Sequence, residues 1–379
     1  MKVLYDYRPW QDFYGRGVAR YIEDLFGECI KQLNTEAFIL LHENGETPNF
    51  YSNSSKVHIC YEKEFENKKF EKNEFDIYIN GSACRLNASP ATVLDEMYPK
   101  SVIETCRYKT AILHDFIPLF FQNYIWDDNQ KISFALQYDV LRKFDHIFGN
   151  SKYSCASAFH YIPIEKEKLT VLYGGVNNKK FSSKNSSKPY SSRERKNHIV
   201  YVGGFASQKN YQGVINSFCK AYKEKSIPED SKFYLICSAS QGSKDEIKNL
   251  VEKFGIKYGK QVIVTGYISD EKMLEIVSSA KASIFPSYLE GLGLPILESY
   301  AAGTPCWASG VHSTKEITLP ECTFNPFDEI SMKNAITEIY HRPDLCEKSL
   351  DFGRTLLKEI TWENAAKKMI RVFEQLLRN

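Results

Sequence analysis

The sequence predicts an α/β protein made of two doubly wound, parallel-sheet domains. Three observations carry this. Short apolar runs alternate with segments of helical periodicity, the pattern of βα units that feed a parallel sheet. At 379 residues the chain exceeds what one hydrophobic core ordinarily serves. A polar, Ser-rich, apolar-poor stretch at 181–197 separates two such series.

The first series opens with a strand at Val3–Tyr5 and a helix over 17–33. In that helix Val18, Tyr21, Ile22, Leu25, Phe26, Cys29, Ile30 and Leu33 recur at helical spacing. Strands are expected over 37–41 and 76–80, then an apolar run over 110–114 ends in His114-Asp115 and an aromatic segment over 116–126. A strand over 146–150 enters a helix beginning near Ser151, and 169–172 closes the series. The run 61–75 alternates charge signs and reads as a solvated helix or loop. The second series has strands over 198–202, 233–237, 262–266, 282–285 and 306–308, with a helix after Lys209-Asn210. Thr361 is placed to cap a last helix reaching Leu377. The expected organisation is therefore a domain at 1–180, a linker at 181–197, a second domain at 198–360 and a terminal helix at 361–379. Ligands of such sheets bind at the carboxyl ends of the strands, so both rims are expected to line one cleft.

Composition narrows the function. The formal net charge is +2, with 25% charged and 43% hydrophobic residues, which fits a globular protein and argues against a general nucleic-acid binder. Residues 1–180 carry a net −2 and the remainder +4, and much of that excess lies in Lys184, Lys188, Arg193, Arg195 and Lys196. Any membrane-binding basic face is thus local. No run approaches the about eighteen apolar residues of a membrane span. Met1–Asp6 turns polar too quickly for a signal peptide. The ten cysteines form neither a Cys-x-x-Cys pair nor a Cys/His cluster, so reduced cytosolic thiols are expected.

The densest chemistry lies in Phe285-Pro-Ser-Tyr-Leu-Glu290-Gly-Leu-Gly-Leu-Pro-Ile-Leu-Glu298, which runs on to Gly303-Thr-Pro305. A strand end, a turn at Gly291 and Gly293, and Pro295 in a first helical turn put free N–H groups and a positive dipole end together, an arrangement suited to a diphosphate. Carboxylates at Glu290 and Glu298 can each accept from neighbouring hydroxyls. A glutamate early in a helix also serves the dipole with no ligand, and Glu-Gly is an ordinary loop pair. Elsewhere, Gly15-Arg16-Gly17 opens a helix but lacks the third glycine of a dinucleotide fingerprint. His114, at a strand end, reads as structural when taken alone. Val202-Gly-Gly-Phe-Ala-Ser-Gln-Lys209 is a strand, a glycine turn and a cation at a helix start, a phosphate candidate.

As a whole, the run 284–305 closely resembles the signature of the retaining glycosyltransferases of the GT-B fold. The likeness is to the large family-four group of bacterial polysaccharide and O-antigen type, mannosyltransferases among them. It extends from the first glycine turn to the Trp362-Glu363 helix. The resemblance implies two facing Rossmann-like domains, an acceptor-binding one at 1–180 and a nucleotide-sugar-binding one at 198–360, with the terminal helix returning to the N-terminal one. It implies a hexose moved from a GDP-, UDP- or dTDP-linked donor to a glycan or polyprenyl-linked glycan. It also implies a cytoplasmic protein with possible peripheral contact at the inner membrane face.

By position, the resemblance puts Glu290 on the donor sugar and Glu298 on the ribose. Gly291, Leu292, Gly293 and Leu294 are the donor-binding turn, and Gly15 and Gly17 form a second backbone turn at the diphosphate. His114 falls beside the transferring sugar, Lys209 on the diphosphate, and Ile268 in a turn that touches the base through its backbone. Asp115 is expected to fix its loop. His114, Lys209 and Glu290 form the expected catalytic set, and Arg16 and Arg85 border the acceptor side. Gly204 departs from the family, which commonly carries arginine there. No Asp-x-Asp motif occurs, so metal-free neutralisation of the leaving diphosphate is expected, with no cofactor. The rival readings are a GT-B-shaped nucleotide-sugar epimerase and a non-catalytic GT-B scaffold subunit.

Overall fold

A computed structural model describes residues 1–33, 35–48, 56–85, 88–121, 127–177 and 195–378. The chain divides into two compact units, Met1–Gly175 with Ile360–Asn379, and Val176–Glu359.

The first unit holds a seven-stranded parallel sheet in the order β3-β2-β1-β4-β5-β6-β7. Its strands are β1 (Val3–Asp6), β2 (Ala37–Leu41), β3 (Val57–Tyr61), β4 (Phe75–Asn80), β5 (Cys106–Leu113), β6 (His146–Gly149) and β7 (Leu169–Val171). Alternation along each strand sorts its side chains into two layers. Val3, Tyr5, Ile39, Ile77 and Ile79 join one core, while Leu4, Leu40 and Tyr78 join the other. The first core is covered by the Gly17–Leu33 helix and by the last helix, Trp362–Arg378.

That last helix therefore belongs to the first unit. Thr361 Oγ1 accepts from the Asn364 N–H at 3.0 Å, the expected cap. Cys29 Sγ lies 3.6 Å from Met369 Sδ, and the Tyr21 and Trp362 rings meet edge to face at 5.0 Å. A Cβ on Gly175 would fall 2.4 Å from the Trp362 nitrogen, so only glycine admits the crossing chain.

The second unit holds six parallel strands in the order β10-β9-β8-β11-β12-β13. They are β8 (His198–Val202), β9 (Lys232–Ile236), β10 (Val262–Val264), β11 (Ala282–Phe285), β12 (Cys306–Ser309) and β13 (Thr323–Phe324). In each sheet the strand order reverses once, between β1 and β4 and between β8 and β11. In doubly wound sheets such a reversal is where the loops leaving the carboxyl ends diverge, the usual place for a ligand.

Three differences from the sequence reading have physical reasons. Strand β3 was not expected because it is an edge strand: His58 and Ile59 are exposed, so no clean alternation shows. The run 61–75 is accordingly the end of β3, a short Glu62–Glu66 helix and the start of β4. Arg195, read as linker, is buried. Its guanidinium donates to the Ser278, Ala280 and Gly303 carbonyls, at 3.3, 3.0 and 2.5 Å, near the ends of the Asp270–Ser278 and Leu294–Ala301 helices. The rest of the expected linker, with Lys184, Lys188 and Arg193, lies outside the described residues, as does 122–126 of the aromatic segment.

Candidate functional site

The second unit gathers most of the expected residues at its switch point. The loop after β8 passes Gly203 and Gly204, tightens into a turn at Ser207–Lys209, and reaches Asn210 in the left-handed region at φ 50°. Helix Tyr211–Lys223 follows. The loop after β11 runs alongside, tied by the Tyr288 N–H to the Gln208 carbonyl at 2.7 Å. This tie brings Lys209 Nζ to 2.6 Å from Glu290 Oε1 and to 5.4 Å from the Phe285 ring centre. Ser313 Oγ donates to the Glu290 carbonyl at 2.6 Å and fixes the loop from beneath. An ammonium has three donors, so Lys209 can hold Glu290 and still present N–H to an anion.

Just beyond, Gly293 adopts φ 98°, which L side chains rarely take, and initiates the Leu294–Ala301 helix with Pro295 in its first turn. Gly291 and Leu292 are buried, Leu294 and Glu298 half-buried. The turn-and-dipole arrangement read from the sequence is thus built as expected.

Two further residues border this rim. Ile268 packs against the cluster of Val200, Ile236, Val277 and Ala280, next to Ser269, which caps the Asp270–Ser278 helix. Gly204 accepts at its carbonyl from Tyr201 Oη at 2.5 Å, and a Cβ there would meet nothing within 4 Å. The missing arginine is therefore not excluded by packing.

In the first unit, Gly15 takes φ 77°, Gly17 starts its helix, and a Cβ on either would meet nothing within 4 Å. Arg16 between them is exposed. His114 sits just past β5, buried, with Nε2 3.0 Å from the Gly81 carbonyl and its ring edge to face with Tyr21 at 5.1 Å. Tyr21 lies one turn into the Gly17 helix, so His114 and that helix start share a neighbourhood. Burial, only partly opposed by the Gly81 hydrogen bond, lowers the His114 pKa to about 4. The ring is therefore neutral at pH 7, and because a carbonyl only accepts, Nε2 carries its proton. This narrows the expected role: His114 can present Nδ1 as an acceptor to a hydroxyl but brings no positive charge. Asp115 fixes its loop as expected, accepting from the Ile117 N–H at 2.8 Å.

Arg85 requires a correction. It is 3% exposed, with Nη2 3.1 Å from Asp6 Oδ2 and Nη1 3.2 Å from Asp12 Oδ2. Its backbone N–H donates to Gln137 Oε1 at 2.6 Å. A guanidinium committed to that network does not face an acceptor. Arg8 completes the network, with Nη2 2.8 Å from Asp6 Oδ2 and Nη1 2.9 Å from Glu62, while Tyr78 Oη donates to Asp6 at 2.7 Å. Burial alone would raise the Asp6 carboxyl pKa, yet Arg8 and Arg85 together hold it far below the usual carboxylate range. Sequence reasoning missed Asp6, because its partner Arg85 is remote along the chain.

Two doubly wound parallel-sheet units with matched strand order are the architecture of the GT-B fold. Solved structures agree on the fold. Sucrose-phosphate synthase from Thermosynechococcus elongatus superposes with a TM-score of 0.74 at 18% identity, covering 100% of this chain and 99% of that one. Anabaena Alr3699/HepE in complex with UDP-glucose gives 0.72 at 13%, covering 99% and 100%. Residues 182–355 match the model of the family "Glycosyl transferases group 1". Among curated relatives, the O-antigen chain mannosyltransferase B of Escherichia coli is 27% identical over 181 residues, 47% of this chain and 46% of that protein. The O-antigen chain mannosyltransferase RfbU of Salmonella typhimurium is 26% identical over 247 residues, 64% of each chain. The aligned segments thus span about half to two thirds of those relatives. Among the described residues no helix is long and apolar enough to cross a membrane.

Proposed function

We propose that the protein is a retaining hexosyltransferase of cell-surface polysaccharide assembly, using a nucleotide-diphosphate sugar. The observation that carries this is the Lys209–Glu290 pair at 2.6 Å, set beside the Gly293-initiated helix at the switch point of the second sheet. That arrangement offers a cation, free helix N–H groups and a carboxylate to one ligand carrying both phosphate and hydroxyls. Lys209 and the helix start stabilise the leaving diphosphate, Glu290 holds sugar hydroxyls and Glu298 the ribose. Ile268 offers backbone groups to the base. Roles for Gly15, Gly17 and His114 toward the donor, and for Arg16 toward the acceptor, rest on the family resemblance alone.

In the step proposed, the bond from sugar C1 to the β-phosphate oxygen breaks and the acceptor oxygen bonds to C1 on the same face. The acceptor proton passes to the leaving phosphate oxygen. The relatives named O-antigen mannosyltransferases favour a mannosyl donor, whereas the choice among GDP-, UDP- and dTDP-linked sugars, a glycan or polyprenyl-linked acceptor, and work at the inner face of the membrane rest on the family resemblance. Neither an epimerase nor a scaffold gains support from these similarities.

The test is a donor panel of GDP-mannose, UDP-glucose, UDP-GlcNAc, UDP-galactose and dTDP-rhamnose, read by thermal shift and slow donor hydrolysis, with and without EDTA. Selective stabilisation with EDTA-insensitive hydrolysis is expected. Stabilisation by nucleotide sugar that Lys209→Ala and Glu290→Gln leave untouched would overturn the assignment.

A further inference from the structure

One rigid aromatic feature adjoins this site without being used by it. Tyr288, two residues before Glu290, stacks on Phe327 with ring centres 4.9 Å apart and planes inclined by 21°. Phe327 follows β13 on the same carboxyl rim and is 69% exposed. Single exposed aromatics are commonplace on protein surfaces. This one is held from several sides. Its N–H donates to Asn325 Oδ1 at 3.0 Å, and the Asn325 N–H donates to Ser331 Oγ at 3.0 Å. The carbonyl of the preceding Pro326 accepts from Asn210 Nδ2 at 2.9 Å, and Asn210 is the residue after Lys209. Tyr288 is itself tied to Gln208. The stacked pair is therefore braced by the two loops that carry Lys209 and Glu290, and it keeps one ring face open to water.

From this geometry we infer that Tyr288 and Phe327 form a stacking platform for a pyranose ring of the glycan acceptor. The inference rests on the transferase reading and names a subsite for its second substrate. A hexopyranose has an apolar C–H face ringed by hydroxyls, which suits a fixed, open aromatic face. The donor sugar is the less fitting occupant. Its expected partner Glu290 is 8% exposed, against 69% for Phe327, which lies at the edge-strand end of the rim, where an exchangeable chain can pass. A braced platform also loses little side-chain freedom on binding.

The experiment is saturation-transfer NMR and titration calorimetry with α-linked mannotriose, on the full chain, for wild type, Phe327→Ala and Phe327→Tyr. GDP-mannose binding is measured separately for wild type and Lys209→Ala. Saturation should reach the sugar C–H protons, Phe327→Ala should weaken mannotriose binding about tenfold, and Phe327→Tyr should restore it. Equal mannotriose affinity in wild type and Phe327→Ala, or no binding by wild type, would overturn the platform. If Lys209→Ala abolishes GDP-mannose binding while Phe327→Ala leaves mannotriose unaffected, the platform falls and the transferase reading stands. If mannotriose binds through Phe327 and no nucleotide sugar binds, the subsite stands and the transferase reading falls.

Discussion

The two units share one strand order but put charge to different use at their switch points. In the first, Asp6, Arg8, Arg85 and Tyr78 close on one another beneath the surface. In the second, Lys209 and Glu290 meet at a half-open rim, with side chains 21% and 10% exposed. A closed network spends its hydrogen-bonding capacity on the fold. The open pair orients an ammonium whose remaining donors stay available, backed by a helix start. On the function proposed, the same topology serves as a lock in one unit and as a receptor in the other, and exposure of the pair separates the two uses.

Removing one partner should separate them most sharply. Asp6→Ala leaves Arg8 and Arg85 buried with too little counter-charge, and should cost about 3–5 kcal/mol of stability in urea unfolding. Lys209→Ala and Glu290→Gln should leave the unfolding midpoint nearly unchanged. They should instead lower sugar transfer by about 10²–10³-fold, on the order of 2–4 kcal/mol of transition-state stabilisation. If Lys209→Ala destabilised the chain as much as Asp6→Ala, the second pair would also be a lock and the contrast would fail.

These assignments were unequally legible in the sequence. Local signals sufficed for the open site, since Gly291, Gly293, Pro295 and both glutamates sit within one strand–turn–helix unit. Glycine conformation and helix entry there are decided by near neighbours. The periodicity of 17–33 and the Thr361 cap were local in the same sense. The closed network was not legible. Asp6 and Arg85 are brought together only by the pairing of β1 with β4, and in the sequence position alone puts Arg85 on the acceptor side. Edge strand β3 and the two-residue β13 lacked alternation for the same reason, being defined by partners and not by pattern. The Tyr288–Phe327 stack also joins two distant loops.

Acid should separate the units by degree. In the first, His114 and His146 both have pKa values lowered to about 4, with desolvation by burial the leading cause. In the second, His198 and His312 are also lowered by burial, by smaller shifts. The unfolded chain, with histidines near 6.5, takes up more protons than the native one between those values. The contribution of His114 and His146 is therefore fully present above pH 6.5 and is lost as pH falls through about 4. Each full shift corresponds to about 3 kcal/mol. Urea midpoints at pH 7, 5.5 and 4.5 should fall steadily, and His146→Phe should flatten the fall. A midpoint independent of pH over that window would show that these rings are protonated or solvated in the native state.

The smallest expected effect is the most specific to the open site. At Gly204 a side chain would enter open space, and the backbone is already held by Tyr201. Gly204→Arg should therefore fold normally, with stability changed by about 0.5 kcal/mol or less, since the lost glycine freedom favours the folded state slightly. A guanidinium there adds a second cation on the turn that leads to Lys209, able to grip a phosphate at two points. Nucleotide-diphosphate affinity should rise about three- to tenfold, and the gain should shrink as salt is raised from 50 to 300 mM, as for any partly exposed charge pair. A gain that ignored salt would mean the arginine packs against the nucleoside instead. No gain at all would mean that Gly204 faces away from the diphosphate, leaving Lys209 and the Leu294 helix start to neutralise the leaving group.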